Sequence, residues 1–231
     1  MKAQKKPSPA RPQRPRAPVT KERALRAAIK LADQKGLDAV TMRRLAKNLR
    51  VEAMSLYHHI PNKDAILSGM VDRVFAEIEL PRADLDWKTA LRRRMSSVRD
   101  VLLRHPWALR ILESRSTPGE ITLLHHDAVL GCLRTAGFPI ALAARAFSVL
   151  DSFVFGFVHT ELTLPFRGER EAQKVAGAIL DMLPAGAFPN LVEFTRAHVL
   201  VPGYTYGNEF PFGLDLILDG LERQLCQATA R

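Results

Sequence analysis

The sequence predicts an all-α protein: an N-terminal three-helix helix-turn-helix (HTH) domain followed by a larger helical bundle. Three observations carry this. From Asp84 onward, apolar residues recur at helical spacing, punctuated at Pro106, Pro118, Gly137-Phe138-Pro139, Pro165, Pro184 and Pro189, with no sustained strand alternation and no internal repeat. Residues 40–63, VTMRRLAKNLRVEAMSLYHHIPNK, hold two short helical patterns around a tight break. The positive charge lies at one end: net +6 over residues 1–18, +5 over 19–64 and −1 over 65–231, within a total of +10. A phosphate backbone is the natural partner of such a block.

Residues 1–18, MKAQKKPSPARPQRPRAP, have no large apolar side chain after Met1 and are expected to be disordered. They read either as an arm that tracks phosphates or enters the minor groove, or as a solvated leader. A helix is expected from Thr20 as N-cap to Lys35, stopped by Gly36, with Leu25, Ala28, Ile29 and Ala32 packing on the next two helices. Thr41 caps a second helix with Met42, Leu45, Ala46 and Leu49 at helical spacing. After the break at Leu49-Arg50-Val51, a third runs from about Glu52 to His59. Val51, Leu56 and Ile60 can face the second helix, which leaves Ala53, Met54, Ser55, Tyr57 and a histidine outward; His58 is expected to face partly inward. Two short helices joined by a tight turn, the second with a small, polar and aromatic outer face, describe an HTH whose second helix enters the DNA major groove.

Pro61-Asn62-Lys63-Asp64 ends that helix and caps a fourth, expected through Ile66, Met70 and Phe75 to about Glu79, before Pro81. Further helices are expected near 86–104, 106–114, 118–136, 139–163, 169–183, 188–200 and 211–227, with a loop at 202–207. The division is then a basic arm (1–18), the HTH domain (19–67) and a helical ligand-binding and dimerisation domain (68–231).

Several function classes are disfavoured. No apolar run approaches the roughly 18 residues needed to cross a membrane, and the N-terminus lacks a hydrophobic signal region. Cys132 and Cys226, far apart in sequence, make no disulfide framework and read as buried thiols in a reducing cytoplasm. An enzyme with an appended HTH is disfavoured because no phosphate-binding Gly loop or nucleophile elbow is present. His125-His126-Asp127 and His159-x-Glu161 do not place two ligands on one helix face, and no i, i+4 His pair occurs. No catalytic residue, cofactor or protein-bound metal is assigned.

Residues 20–67 resemble the DNA-binding domain of the tetracycline-repressor (TetR) family of transcriptional regulators. The resemblance is carried by KERALRAAIKLADQKG, then Leu37 and Thr41 before MRRLAKNL, then VEAMSLYHHIPNKDAIL, and most sharply by Leu56-Tyr57-x-His59-x-x-Asn62-Lys63. One departure matters: Arg50 stands in the turn where the family usually places Gly. If that position has positive φ, Arg costs about 1 kcal/mol relative to Gly there, and it adds a cation beside the duplex.

The resemblance implies DNA contacts at Thr41, Met42, Arg43, Ala53, Met54, Ser55, Tyr57, His59 and Lys63. Arg43 can donate to guanine or phosphate, and Ser55, Tyr57 and Lys63 can hold phosphate oxygens. Ala53 and Met54 offer only apolar contact, which leaves the operator sequence open; Arg44 and Lys47 read as solvated. The resemblance also implies an effector pocket in the body for an apolar or amphipathic small molecule, with Trp107, His126, Phe147, Phe153, Phe157 and His159 as candidates, although most body aromatics are expected to be ordinary core. The His, Asn, Gln and Glu set that holds a metal–drug complex in the tetracycline repressors proper is not found.

The last helix carries an apolar stripe, Phe212, Leu214, Ile217, Leu218, Leu221 and Leu225, and the 139–163 helix is apolar over much of its length. In the family these two helices pair with their copies, which implies a homodimer interface containing Leu150, Val154, Leu214, Ile217, Leu218, Leu221 and Leu225. The alternative is that both are internal core of a monomer. The function implied is a cytoplasmic, homodimeric, ligand-responsive repressor of a near-palindromic double-stranded operator. A non-specific, nucleoid-type basic DNA-binding protein is the alternative.

Overall fold

The structure, a computed structural model, describes residues 20–114 and 118–230; the basic arm expected over residues 1–18 lies outside the described residues. Helix α1 (Lys21–Lys35) starts where Thr20 accepts the Arg23 N–H at 3.2 Å. Helix α2 (Met42–Leu49) starts the same way, with Thr41 accepting from Arg44 at 3.2 Å. Helix α3 is the short segment Ala53–Tyr57, and α4 (Lys63–Phe75) is capped by Asn62, whose side chain accepts from Ala65 at 2.8 Å. These hydroxyl and amide caps satisfy orphan donors at each start.

Helix α1 packs chiefly on α2 and α4, rather than on α2 and α3 as expected. The reason is visible at Gly69, where an added Cβ would stand 2.7 Å from a Leu25 methyl; glycine lets α4 approach α1. Glu22 of α1 adds an ion pair to Arg73 of α4 at 2.7 Å. Leu25, Ala28 and Ala32 are buried as expected, and Ile29 is half-buried. Helix α4 also ends earlier than expected. Its last turn tightens through Glu77 N–H to Val74 and Ile78 N–H to Phe75, which tucks Ile78 into the core.

The body follows as α5 (Trp87–Arg104), α6 (Trp107–Ser114), α7 (Glu120–Thr135), α8 (Ile140–Thr163), α9 (Glu169–Met182), α10 (Pro189–Phe194) and α11 (Glu209–Thr229). The helix expected over 188–200 instead changes pitch at Thr195–Val199, where the turns widen to π geometry. Helices α5, α7, α8 and α11 pack together, and α4 runs back onto α6 and α7. With 24 residues and a mean hydropathy of 1.6 over its most apolar window, α8 is long and apolar enough by length and composition to cross a membrane. That departs from the expectation that no run would qualify. Here one stripe of it, Ala143, Ala146, Leu150, Val154 and Val158, packs into the bundle with α5, α7 and α11, while only 22% of that apolar window is buried.

Burial also corrects the stripe assigned to the dimer interface. Leu150, Val154, Leu214 and Leu218 are at most 1% exposed, and Leu221 is 8% exposed, within a single chain. A side chain already covered by its own protomer cannot be covered again by a partner. Only Ile217 and Leu225 of that set are half-buried. The apolar groups left open on these helices are Ile140 and Val149 of α8 and Phe212 and Leu216 of α11. Cys132 is half-buried and Cys226 is exposed, against the expectation of two buried thiols.

Candidate functional site

The HTH is built by the turn at Arg50. Arg50 has φ 57° and ψ 46°, left-handed, so the condition attached to its departure from Gly is met. Its N–H reaches the Lys47 carbonyl at 3.2 Å and the Val51 N–H reaches Ala46 at 3.0 Å. This is the paired bonding of a Schellman end, which closes α2 and redirects the chain into α3. Leu45, Leu49, Leu56 and Ile60 are buried beneath the turn and fix the angle between the two helices.

What remains outside is the expected reading face. Met54 is 69% exposed and Tyr57 43%, with Ser55 and His59 exposed and Ala53 half-buried. His58 is exposed as well, so it does not turn inward. Arg43 at the start of α2 and Lys63 at the start of α4 are exposed, while Thr41 and Met42 are half-buried. Arg44, Lys47 and Arg50 are also exposed and extend the cationic rim. A small-to-medium apolar and aromatic ridge bordered by cations can enter a major groove and hold phosphates on either side.

Two contacts tie this unit to the body. At the end of α1, Asp33 accepts from Trp107 Nε1 at 2.6 Å and from His105 Nδ1 at 2.8 Å. A carboxylate only accepts, so the His105 proton belongs on Nδ1. Beside it, Arg104 pairs with Glu77 at 2.6 Å. Trp107 is therefore an anchor between α1 and the α5–α6 corner, away from the other effector candidates. At the end of α4, the Phe75 ring meets the His125 ring edge-on at 6.0 Å, and the Phe75 backbone stands near enough to favour the protonated imidazole. Asp72 of the same helix lies against Gly119 at the start of α7, leaving no room for a Cβ.

The remaining effector candidates fall into separate places. Phe153 and Phe157 join Phe210 and Tyr206 in an aromatic cluster between α8 and α11, against the Arg99–Glu161 ion pair. His159 is exposed on the outer side of α8. Only His126 and Phe147, edge-on at 5.0 Å, lie beside an internal polar cluster. That cluster joins Arg94 of α5, His125 and His126 of α7 and Asp151 of α8, each near enough to influence another electrostatically, with Thr122 one turn before His125 on α7. Arg94 is 3% exposed, Thr122 5% and His125 2%, and Arg94 Nε, Thr122 Oγ1 and His125 Nδ1 have no hydrogen-bond partner. Burial, with help from the Arg94 charge, lowers the His125 pKa to about 4, so the ring is neutral at pH 7. Burial raises the Asp151 carboxyl, an effect opposed by Arg94.

Sequence reading missed Arg94, Thr122 and Asp151. The signal for Arg94 was its register: among the three arginines of LRRRMSSV, it alone falls on the stripe of Ala90, Leu91, Val98 and Val101. Asp151 is a lone carboxylate in the apolar run of α8, one turn after Phe147.

Residues 24–70 match the family described as "Bacterial regulatory proteins, tetR family", and residues 80–225 match "Tetracyclin repressor-like, C-terminal domain". The HTH-type transcriptional repressor DrrR1 of Streptomyces coeruleorubidus is 30% identical over 94% of this chain and 83% of its own length. The class A tetracycline repressor from transposon 1721 of Escherichia coli is 33% identical over 67% of this chain and 71% of its own. Apo ActR from Streptomyces coelicolor superposes with a TM-score of 0.76 at 30% identity, covering 92% of this chain and 99% of that one. ActR has also been solved in complex with actinorhodin, and that structure superposes at 0.74, covering 90% and 99% at 30% identity.

Proposed function

The chain belongs to the tetracycline-repressor family of bacterial transcriptional regulators, and from that premise we propose that it is a cytoplasmic homodimer that represses from a near-palindromic operator and is released by a small-molecule effector. The observation that carries the reading is the outer face of α3, where Met54, Ser55, Tyr57 and His59 stand exposed above buried Leu56 and Ile60. Thr41, Met42, Arg43, Ala53 and Lys63 complete the DNA contacts. The protein acts by binding and not by turnover.

Dimerisation is assigned to the outer sides of α8 and α11. Val149, Ser152, Gly156 and His159 follow one line along α8, and Phe212 and Leu216 follow one along α11. Two reading heads related by the dimer axis then reach half-sites about 34 Å apart, one turn of the duplex. The effector site is assigned to the cluster around Arg94, His126 and Phe147, which touches the end of α4 through His125 and Phe75. A ligand that binds best when α7 has shifted moves α4, alters the spacing of the reading heads, and lowers DNA affinity by linkage. That Streptomyces coelicolor ActR binds actinorhodin supports an aromatic effector of comparable size.

The test uses duplex DNA selected by the unsubstituted protein. Tyr57→Ala and Lys63→Ala each weaken binding, and Lys63→Ala also lowers the salt dependence by about one counterion, at unchanged solution mass. Loss of the dimer in either variant contradicts these roles.

A further inference from the structure

Arg94 sits at the centre of the body with its charge uncompensated at close range. Among the described residues, no carboxylate comes within 4 Å of it, and its one hydrogen bond goes to Met95 Sδ at 3.7 Å, a weak acceptor. Asp151 is near enough to influence Arg94 electrostatically but does not pair with it. Thr122 and His125, one turn apart on α7, add an unpaired hydroxyl and an unpaired ring nitrogen within the same bundle of α5, α7 and α8. His125 Nδ1 has no hydrogen-bond partner, and burial holds the ring neutral at pH 7, so it can offer an acceptor nitrogen. A buried guanidinium left this way is costly unless a partner completes it.

The same two helices flank an opening. A cleft of about 550 Å³ is lined by Gly131 and Cys132 of α7, by Trp87 of α5, and by Leu85 with the charged Arg82 and Asp86 of the segment joining α4 to α5. Trp87 is seven residues before Arg94 on one face of α5, and Cys132 is seven after His125 on α7. Cleft and polar cluster therefore lie end to end along the α5–α7 contact. The aromatic groups beside them, Trp87 on Phe138 at 5.0 Å and Phe147 on His126 at 5.0 Å, favour a flat, unsaturated ligand.

We infer that the effector is an aromatic acid whose anionic oxygen pairs with the buried guanidinium of Arg94, its ring system extending towards the cleft between α5 and α7. A hydroxyl next to the acid group can donate to His125 Nδ1, which links occupancy directly to Phe75 and the end of α4. The inference rests on the ligand-released repressor reading and narrows its effector to one charge class.

The test is calorimetric binding of three aromatic acids, 1-naphthoate, 3-hydroxy-2-naphthoate and anthraquinone-2-carboxylate, each against its carboxamide, to the full-length dimer. At least one acid is expected to bind roughly 10- to 100-fold more tightly than its amide, the range of a charge-assisted hydrogen bond. Arg94→Met abolishes that margin without lowering the melting temperature, since it removes an unpaired buried charge. Asp151→Asn keeps or widens the margin, because it removes a competing carboxylate. Equal binding of acid and amide, no binding by any acid, or a margin that survives Arg94→Met overturns the inference. Failure of the repressor reading shows elsewhere: an acid that binds with the expected margin yet leaves the protein on its selected duplex contradicts release, not the charge class.

Discussion

From Thr20 to Val71, every buried side chain is apolar and no buried side-chain nitrogen or oxygen lacks a hydrogen-bond partner, whereas the body from α5 to α7 keeps Arg94, Thr122 and His125 buried with one polar atom each lacking such a partner. Both regions are helices packed on helices, and both are buried to similar depth. The DNA-binding end is complete in itself: its caps, its Schellman turn and its leucines all favour one shape. The body carries polar groups that cost about 1–3 kcal/mol each when left unmade. The unpaired polar groups therefore lie away from the DNA-binding end, in the region to which the effector site is proposed.

Paired substitutions sharpen this comparison most strongly. Leu56→Ala removes a fully buried side chain from the HTH and is expected to cost about 2–5 kcal/mol in urea unfolding. Arg94→Met, at nearly the same burial, is expected to leave stability unchanged or raise it. A large loss in the second variant breaks the contrast, because Arg94 would then hold the body together.

Acid offers the next effect. The folded-state pKa of His125 is about 4, below its ordinary 6.5. Between these values the unfolded chain takes up a proton that the folded chain refuses. The contribution is therefore fully present above pH 6.5 and is lost as pH falls towards 4, by on the order of 2 kcal/mol. Asp151, raised by burial, works the other way: its folded form is favoured as pH falls, and stability declines as pH rises through its unfolded value. Urea midpoints at pH 7 and pH 4.5 should separate strongly in the unsubstituted protein and much less in His125→Phe. Equal separations place the acid sensitivity elsewhere.

The junction gives a smaller change. Trp107→Phe keeps the ring but removes the 2.6 Å bond to Asp33, costing about 1.5 kcal/mol. It should also weaken effector-driven release more than it weakens DNA binding itself, measured by anisotropy with and without ligand. Smallest is Arg50→Gly, expected to stabilise by about 1 kcal/mol by relieving the left-handed backbone. An unchanged or lower melting temperature counts against strain at this position.

These regions also differ in how far the sequence disclosed them. Helix starts at Thr20, Thr41 and Asn62 were legible because the signal is local, one side chain bonding three residues on. The exposure of Met54, Ser55, Tyr57 and His59 was legible for the same reason, since a five-residue helix buries only what its spacing dictates. His58 was misread because α3 ends at Tyr57, before helical register could turn it inward. In the body, the periodic pattern located the helices but not what each apolar side faces. Leu150 and Leu214 could equally meet their own protomer or a partner, and only the packing decides that they face inward. The Arg94 cluster draws on three helices up to 57 positions apart in sequence, so no local pattern contains it.

The most direct test of the regulator reading is selection of random duplex DNA by the purified full-length protein, with its mass determined in solution alongside. The expected result is enrichment of a two-fold symmetric site, half-sites about one turn apart, bound by a dimer. Recovery of no consensus, with binding lost by moderate salt, would contradict it and leave a non-specific basic DNA-binding protein.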